Sequence, residues 1–317
     1  MAWYLAKRLC MTLIVVVLVM TFLASLVHFI PGDPVTAILG PRADPQLVKT
    51  VRSQMELTAP IPTQIAHFIG HAFKGDLGTD FVSQEPVTSL IGSALPHTII
   101  LAVSSLFVAV LIGIPLGVYA AMRPNTWLDR IAAFFSVSMI TIPPYVGGLV
   151  LLLIFSVRFD LLPAIGTGNL SDPVDYARPL ALPAVALALT WVGYLARLIR
   201  ASMLEVLNSN YIRTARAFGL RDRLIFYKYA LKNAVVPTVA VLGVGLGSLM
   251  GGAIFVEVIF ARNGLGTLIY DSIQTRNYPI VRGGVLVIAV LFVLANLLAD
   301  LSYRLLDPRM RLETARA

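Results

Sequence analysis

Charged residues are scarce in this sequence. Asp, Glu, Lys and Arg together make up 13% of its 317 residues, whereas 57% of the residues are hydrophobic. The mean hydropathy of +0.81 is far above that of soluble domains. An ordinary soluble fold is therefore excluded, and the chain is expected to lie in a lipid bilayer.

Cysteine is almost absent, since Cys10 inside the first apolar run is the single one. This excludes an internal disulfide and a cysteine metal cluster. The sequence also lacks the Gly-x-x-x-x-Gly-Lys-Ser/Thr phosphate loop, so the chain is not expected to bind and hydrolyse ATP. We predict a protein that is not an enzyme and that has no catalytic residue, no metal and no cofactor.

Acidic residues are outnumbered, which leaves a net charge of +8. The basic residues stand at the ends of apolar runs rather than in a soluble basic domain, so a nucleic-acid partner is not expected. Membrane topology explains the charge better, because loops rich in Lys and Arg next to membrane spans stay in the cytoplasm.

Six apolar segments are long enough to cross a hydrocarbon core. They are residues 9–30, 95–121, 131–157, 179–198, 237–260 and 283–306. The sequence therefore predicts an all-α polytopic membrane protein with six transmembrane helices. On this topology about sixteen basic residues lie inside and about nine outside, with both termini in the cytoplasm. The first run is longer than a signal peptide and lacks a small-residue cleavage site, which indicates an uncleaved anchor.

Residues 31–95 are mixed in polarity and contain no stretch that could span a membrane. We expect them outside the cytoplasm, with short amphipathic helices at 45–55 and 62–73. His67 and His71 would share a face of the second helix, as metal ligands do. The zinc-protease glutamate and a third ligand are missing, so a solvent-facing or interfacial pair is preferred over a metal site.

Breakers and polar residues interrupt several spans. Pro143 and Pro144 in span three predict a packing kink. The glycines of span five predict close helix contacts. Glu257, near the outer end of span five, is either a pathway or gate residue or an interfacial one. Asn296 and Asp300 are one helical turn apart in span six, where we favour a structural polar pair over a pathway role.

A polar segment at about residues 201–232 separates spans four and five. With its flanks it holds Arg197, Arg200, Arg213, Arg216, Arg221, Arg223, Lys228 and Lys232. Asn210 is predicted to cap a short helix that carries Ala215 and Ala217, and Gly219 to stop it. A small-faced helix with flanking arginines suits docking into a groove with acidic rims on another protein.

At these residues the sequence resembles the permease subunits of bacterial ABC importers. Their signature in this loop is Glu-Ala-Ala, three residues and Gly. Counting back from Gly219, the triplet falls on residues 213–215, where only Ala215 matches. However, Arg-Thr-Ala-Arg-Ala, one residue and Gly-Leu resembles the form used in the dipeptide and oligopeptide branch. Further matches in the right order are Pro31-Gly32-Asp33-Pro34, Glu257 with Gly264-Leu265-Gly266, and Asp307-Pro308-Arg309. Asn263 departs from the branch, which commonly has proline there.

The resemblance implies the type I ABC importer permease fold in the bacterial cytoplasmic (inner) membrane. It implies a tail and first span at 1–30, an extracytoplasmic region at 31–95 and a transmembrane core at 96–317. The implied partners are a second homologous permease subunit, two cytoplasmic ATPase subunits, an extracytoplasmic substrate-binding protein and membrane lipid. The residues that would couple to the ATPases are Tyr211, Arg213, Thr214, Ala215, Arg216, Ala217, Gly219 and Leu220.

The resemblance also implies an ATP-driven importer of dipeptides or oligopeptides. Nickel chelates, glutathione and opine-like compounds are alternative substrates within the same branch. The competing class is a secondary transporter driven by protons or sodium through intramembrane carboxylates. Glu257 and Asp300 are its evident carboxylates, and neither is clearly placed at a membrane midplane.

Overall fold

A computed structural model describes residues 2–29, 35, 44–54, 59–81 and 83–306. Regular structure in these ranges is helical, apart from one isolated antiparallel bridge between Thr79 and Pro86. The motifs at residues 31–34 and 307–309 lie outside the described residues.

The helices follow the apolar segments and the short polar ones between them. Those before the central segment are α1 (Ala2–Phe29), α2 (Pro45–Gln54), α3 (Ile61–Phe73), α4 (Val87–Met122), α5 (Trp127–Thr141), α6 (Pro144–Leu151) and α7 (Pro173–Leu207). Those that follow are α8 (Asn210–Ala217), α9 (Asp222–Leu224), α10 (Leu231–Ala234), α11 (Val236–Ile259), α12 (Leu265–Gln274) and α13 (Tyr278–Leu306). Two π-helical stretches continue α6 and join α9 to α10, at Leu152–Arg158 and Ile225–Ala230.

Five of these helices are long and apolar enough to cross a membrane, namely α1, α4, α7, α11 and α13. A sixth crossing is obtained if α5 and the helix over Pro144–Arg158 count as one broken span, in which the two parts are bent by 106°. The predicted kink in span three is thus a full break. Its cause is local, because Ile142 precedes Pro143 and adopts an extended backbone, as residues before proline do.

Prolines expected to begin spans lie inside longer helices. Span two was predicted from residue 95, but α4 begins at Val87 and runs through Pro96. Span four was predicted over residues 179–198, but α7 covers Pro173–Leu207 and contains Pro179 and Pro183. Membrane helices tolerate such prolines, because neighbouring groups satisfy the backbone carbonyls that they leave without a donor.

The chain divides into two compact units. The first comprises residues 1–98 and 263–293. Its contacts include a cluster of Met20, Leu23 and Leu286 against α3. A second cluster includes Val87 and Ile269. The Thr98 hydroxyl accepts a hydrogen bond from the backbone N–H of Leu265 at 2.8 Å, which anchors the start of α12. Asn277 donates to the buried Asp80 carboxylate.

The second unit comprises residues 99–262 and 294–317, and its helices approach one another closely. A Cβ added at Gly243 in α11 would stand 2.1 Å from the Ala299 Cβ of α13. One added at Gly245 would stand 2.9 Å from the Trp191 ring. The predicted packing role of the span-five glycines is confirmed at these two positions. The predicted close contact is not found at Gly251, where an added Cβ would have no atom within 4 Å.

Candidate functional site

The central polar segment folds as a short helix held on the end of a long one. Helix α7 ends at Leu207, and α8 begins two residues after Asn208. The predicted cap is displaced by one position, because Ser209 has the extended backbone of the capping residue and Asn210 is already helical. The Ser209 hydroxyl donates to the carbonyl of Val206 at 2.5 Å, so it links the two helices rather than capping α8.

Gly219 ends α8 as predicted. Its φ of +72° lies in the left-handed region that favours glycine. Its N–H donates to the Arg216 carbonyl at 2.9 Å, and the N–H of Leu220 donates to the Ala215 carbonyl at 3.2 Å. These are the two bonds of a Schellman motif, which satisfies the last carbonyls of a helix.

The two alanines of α8 face opposite ways. Ala215 is buried with Ile212, whereas Ala217 is exposed. The sequence predicts both on the docking face, whereas amphipathic spacing turns Ala215 toward the chain's own core. The coupling role of the two alanines stays a prediction. The other predicted coupling residues are exposed except for the half-buried Leu220; they are Tyr211, Arg213, Thr214, Arg216 and Gly219.

Phe218, at the C-terminal end of this helix, is a candidate contact residue that the sequence pattern does not predict. It follows the last residue of α8 and is 82% exposed, although it is a large aromatic side chain. Arg213, Arg216 and Arg221 lie within five residues of it in the sequence, and their side chains are exposed. An unshielded aromatic residue among cations is typical of an interface anchor, and its position next to Gly219 was the available signal.

The inner face of α8 rests on a hydrophobic cluster built from several helices. Its buried members are Val118, Ala121, Ile199, Met203, Leu207, Ile212, Ala215, Ile225, Ala230 and Ala234. They come from α4, α7, α8 and the basic helical stretch after it. Tyr211 adds a polar link, because its hydroxyl accepts a hydrogen bond from the Asn233 amide at 2.7 Å. Helix α8 is therefore packed against α4 and α7 through one continuous buried cluster.

A partly buried ion pair ties the start of α5 to the end of α7 beside this cluster. Arg200 donates from Nε to Asp129 Oδ1 at 2.6 Å and from Nη2 to Oδ2 at 2.7 Å. Asp129 also accepts from the backbone N–H of Asn125 at 2.9 Å. The sequence signal was Thr126-x-x-Asp129, the pattern that caps a helix start, but it does not reveal the arginine partner.

Glu257 lies in the last turn of α11 and is fully buried within the protein, and its role as a pathway or gate residue or as an interfacial one stays a prediction. Beside it, Arg262 is also fully buried and donates its backbone N–H to the Glu257 carbonyl at 2.9 Å. The Arg262 guanidinium donates to the Pro179 carbonyl at 3.1 Å and to the Tyr176 hydroxyl at 3.2 Å. These contacts join the end of α11 to the first turns of α7.

The histidine pair lies on α3 as predicted. The His71 Nδ1 and an Asp76 carboxylate oxygen share a hydrogen bond at 2.9 Å. The backbone N–H of Gly78 and the His71 side chain hold the pKa of Asp76 below its usual value. In the described ranges, no three His, Cys, Asp or Glu side chains are grouped so as to hold a metal ion.

Asn296 is half-buried in α13, one helical turn before Asp300. The side chain of Asp300 lies outside what the structure describes. The polar pair of Asn296 and Asp300 therefore stays a prediction.

Long apolar helices, one bent pair that can form a broken crossing and an exposed cationic helix between them define a polytopic membrane protein. Two family models match: the binding-protein-dependent transport system inner membrane component over residues 113–312, and its N-terminal region over residues 1–102. The chain belongs to this family and is a permease subunit of an ABC importer of the type I fold. It is thus a multi-pass inner-membrane protein that works with ATPase subunits.

Similar proteins include a probable peptide ABC transporter permease of Sinorhizobium fredii, 36% identical over 98% of this chain and 100% of that protein. The glutathione transport system permease protein GsiC of Salmonella typhimurium is 37% identical over 97% of this chain and 98% of its own length. Among solved structures, the inward-facing MetNI methionine ABC transporter matches with a TM-score of 0.55 at 20% identity, covering 69% of this chain and 96% of that one. At that identity the match supports the fold alone.

Proposed function

We propose that this permease carries dipeptides or oligopeptides across the inner membrane and that α8 is its contact with an ATPase subunit. The relatives named for peptide and glutathione transport support a peptide-like substrate. Nickel chelates and opine-like compounds are the alternatives within the branch. The chain lacks its own phosphate loop, so the energy for transport comes from the ATPase subunits.

The single observation that carries the coupling proposal is the exposed Phe218 at the end of α8. Phe218 is the anchor, and Arg213, Arg216 and Arg221 surround it. Such a surface fits an apolar pocket with an acidic rim on the ATPase. Tyr211, Thr214, Ala217, Gly219 and Leu220 complete the proposed contact, whereas Ala215 supports the helix from inside.

The proposed assembly has a second homologous permease, two ATPases and an extracytoplasmic binding protein. The arginine and lysine distribution supports an orientation with both termini and α8 in the cytoplasm and residues 31–95 outside. Residues 1–30 are the tail and first span, and 96–317 the transmembrane core. In this arrangement ATP closes the ATPases, α8 moves with its cleft, and exposure of the pathway switches sides.

Glu257 is proposed as part of the outer gate. Its neighbour Arg262 links the end of α11 to the beginning of α7 through Tyr176 and Pro179. An opening of the outer side that separates these helices must break this buried network. The Glu257 carboxylate interacts electrostatically with the Arg262 guanidinium, and its proposed role is to support this network rather than to carry an ion.

The test is reconstitution of the complete importer in proteoliposomes, with peptide uptake measured under ATP or under an ion gradient alone. We expect uptake only with ATP and the ATPase subunits. Phe218→Ala should weaken ATPase docking by about 2 kcal/mol, roughly thirtyfold, as truncation of a central anchor does. Phe73→Ala is the matched control, because Phe73 is 61% exposed and lies at the end of α3.

Uptake driven by an ion gradient without ATPases would overturn the proposal that the ATPase subunits supply the energy, and it would favour ion-coupled transport. Equal ATPase binding by wild type, Phe218→Ala and Phe73→Ala would leave the permease function standing and overturn Phe218 as its anchor.

A further inference from the structure

A cleft of about 620 Å³ lies between α4, α5 and α7 in the second unit. Its walls are mainly apolar and include Leu116, Val137, Ile140 and Leu198. Polar side chains gather on α7, where Tyr194, Arg197 and Arg200 line the cleft. All three helices belong to membrane crossings, so this space is open to a molecule with an apolar body and an anionic end.

The charge of the cleft is not fully compensated. Asp129 accepts from Nε and Nη2 of Arg200, which leaves Nη1 as a further donor. Arg197 is exposed one turn earlier on α7 and forms no ion pair within the part of the chain that the structure describes. Asp129 thus balances the charge of Arg200, whereas Arg197 contributes one uncompensated positive charge to the cleft.

Exposed aromatic residues mark the level of these arginines. Trp127 at the start of α5 is 67% exposed. Tyr119 near the end of α4 is also exposed, and the Arg123 guanidinium lies 6.0 Å from its ring centre. Aromatic residues beside basic ones are typical of the membrane interface. In a bilayer this pattern predicts acyl-chain depth for the apolar wall and head-group depth for the arginines.

We propose that this cleft binds an anionic phospholipid. One acyl chain lies along the apolar wall, and the phosphate accepts hydrogen bonds from Arg197 and from Nη1 of Arg200. Basic pockets between transmembrane helices on the cytoplasmic side recognise anionic head groups in this way. The inference uses the orientation given under the proposed function, but neither ATP nor the transported solute.

The experiment places the photoreactive residue p-benzoylphenylalanine at Ala133, which is exposed and lines the cleft. The full chain is reconstituted in vesicles of phosphatidylglycerol and phosphatidylcholine and irradiated. The masses of the protein–lipid adducts are then measured by intact-protein mass spectrometry. We expect adducts enriched in phosphatidylglycerol over its share of the vesicle. Arg197→Gln should reduce this enrichment about fivefold, the effect of one interfacial cation. Arg158→Gln, an exposed arginine on another helix, should leave it unchanged.

A probe at Phe134, 69% exposed on the neighbouring position of α5, should report the bulk lipid ratio. Inorganic phosphate added to the buffer should not displace the adduct, because the acyl chain contributes to binding. The lipid site would be overturned if the adducts at position 133 had the lipid ratio of the whole vesicle, or if phosphate alone displaced the adduct. It would also be overturned if the probe formed an adduct with a second permease or with a transported peptide. These readouts do not depend on uptake, so they are separate from the test of the transport function.

Discussion

Gly219 shows how one residue fixes the end of the docking helix. Its φ of +72° strains any residue with a Cβ, although a Cβ there would meet no atom within 4 Å. Gly219→Ala should therefore destabilise the end of α8 by about 1 kcal/mol through the backbone alone. Thermal unfolding of the purified subunit and ATPase stimulation would measure the effect.

Gly251 is the matched control, because a Cβ there also meets nothing within 4 Å and its backbone is helical. Gly251→Ala should leave stability unchanged or raise it slightly. Equal behaviour of the two variants would show that the left-handed stop contributes nothing to α8.

Single residues were predictable where the local chain decides them. Gly219 was found from its position after a helical segment, and His67 and His71 from their spacing. The Asp129–Arg200 pair joins residues 71 positions apart, and Arg262 reaches Pro179 across 83. The residues next to Asp129 or Arg262 in the sequence do not specify these partners, because it is the packing of distant helices that brings each pair together.

At the scale of one element, α8 was predicted in type and place but not in orientation. An eight-residue helix with Ile212 and Ala215 inward leaves its arginines outward. The prediction assigned both alanines to the outer face of α8. Small residues permit close contact both with a partner protein and with the chain's own core, so their size does not decide between the two faces. Which side they serve depends on the cluster beneath, and that cluster is built by α4 and α7.

The two alanines give a direct test on one helix. Ala215→Leu should cost about 1 to 3 kcal/mol of subunit stability, because it overpacks the buried cluster under α8. Ala217→Leu should leave stability unchanged, because its side chain reaches solvent, while it alters binding to the ATPase. Unfolding midpoints of the isolated subunit and ATPase co-purification separate the effects. Similar stability losses in both variants would contradict the inward orientation of Ala215.

The crossings themselves show what composition can and cannot specify. Hydropathy located all the long helices, because the bilayer requires about twenty apolar residues for a crossing. It did not predict the extensions of α4 and α7 or the 106° break in the third span. The extensions and the break depend on which neighbouring groups form hydrogen bonds with the backbone carbonyls that the prolines leave without a donor.

For the whole molecule, composition excluded a soluble fold, and the order of short motifs identified the family. Division into two compact units was beyond the sequence, because residues 263–293 join residues 1–98 through contacts distant along the chain. The orientation in the membrane rests on charge, and it governs both the docking role of α8 and the leaflet of the lipid cleft.

That orientation is tested with single cysteines in a Cys10→Ser background. Arg221 and His67 are both exposed, so a cysteine at either position is accessible to a reagent on its own side. Because about sixteen of the basic residues lie on the side of Arg221, we expect Arg221→Cys to react with a membrane-impermeant maleimide only from the cytoplasm. His67→Cys should react only from outside. Inside-out and right-side-out vesicles, with labelling after detergent as the control for reactivity, provide the two sides. Cytoplasmic labelling at position 67 would place α3 with α8 on one side of the bilayer, and an even number of crossings between them would then replace the three of the present topology.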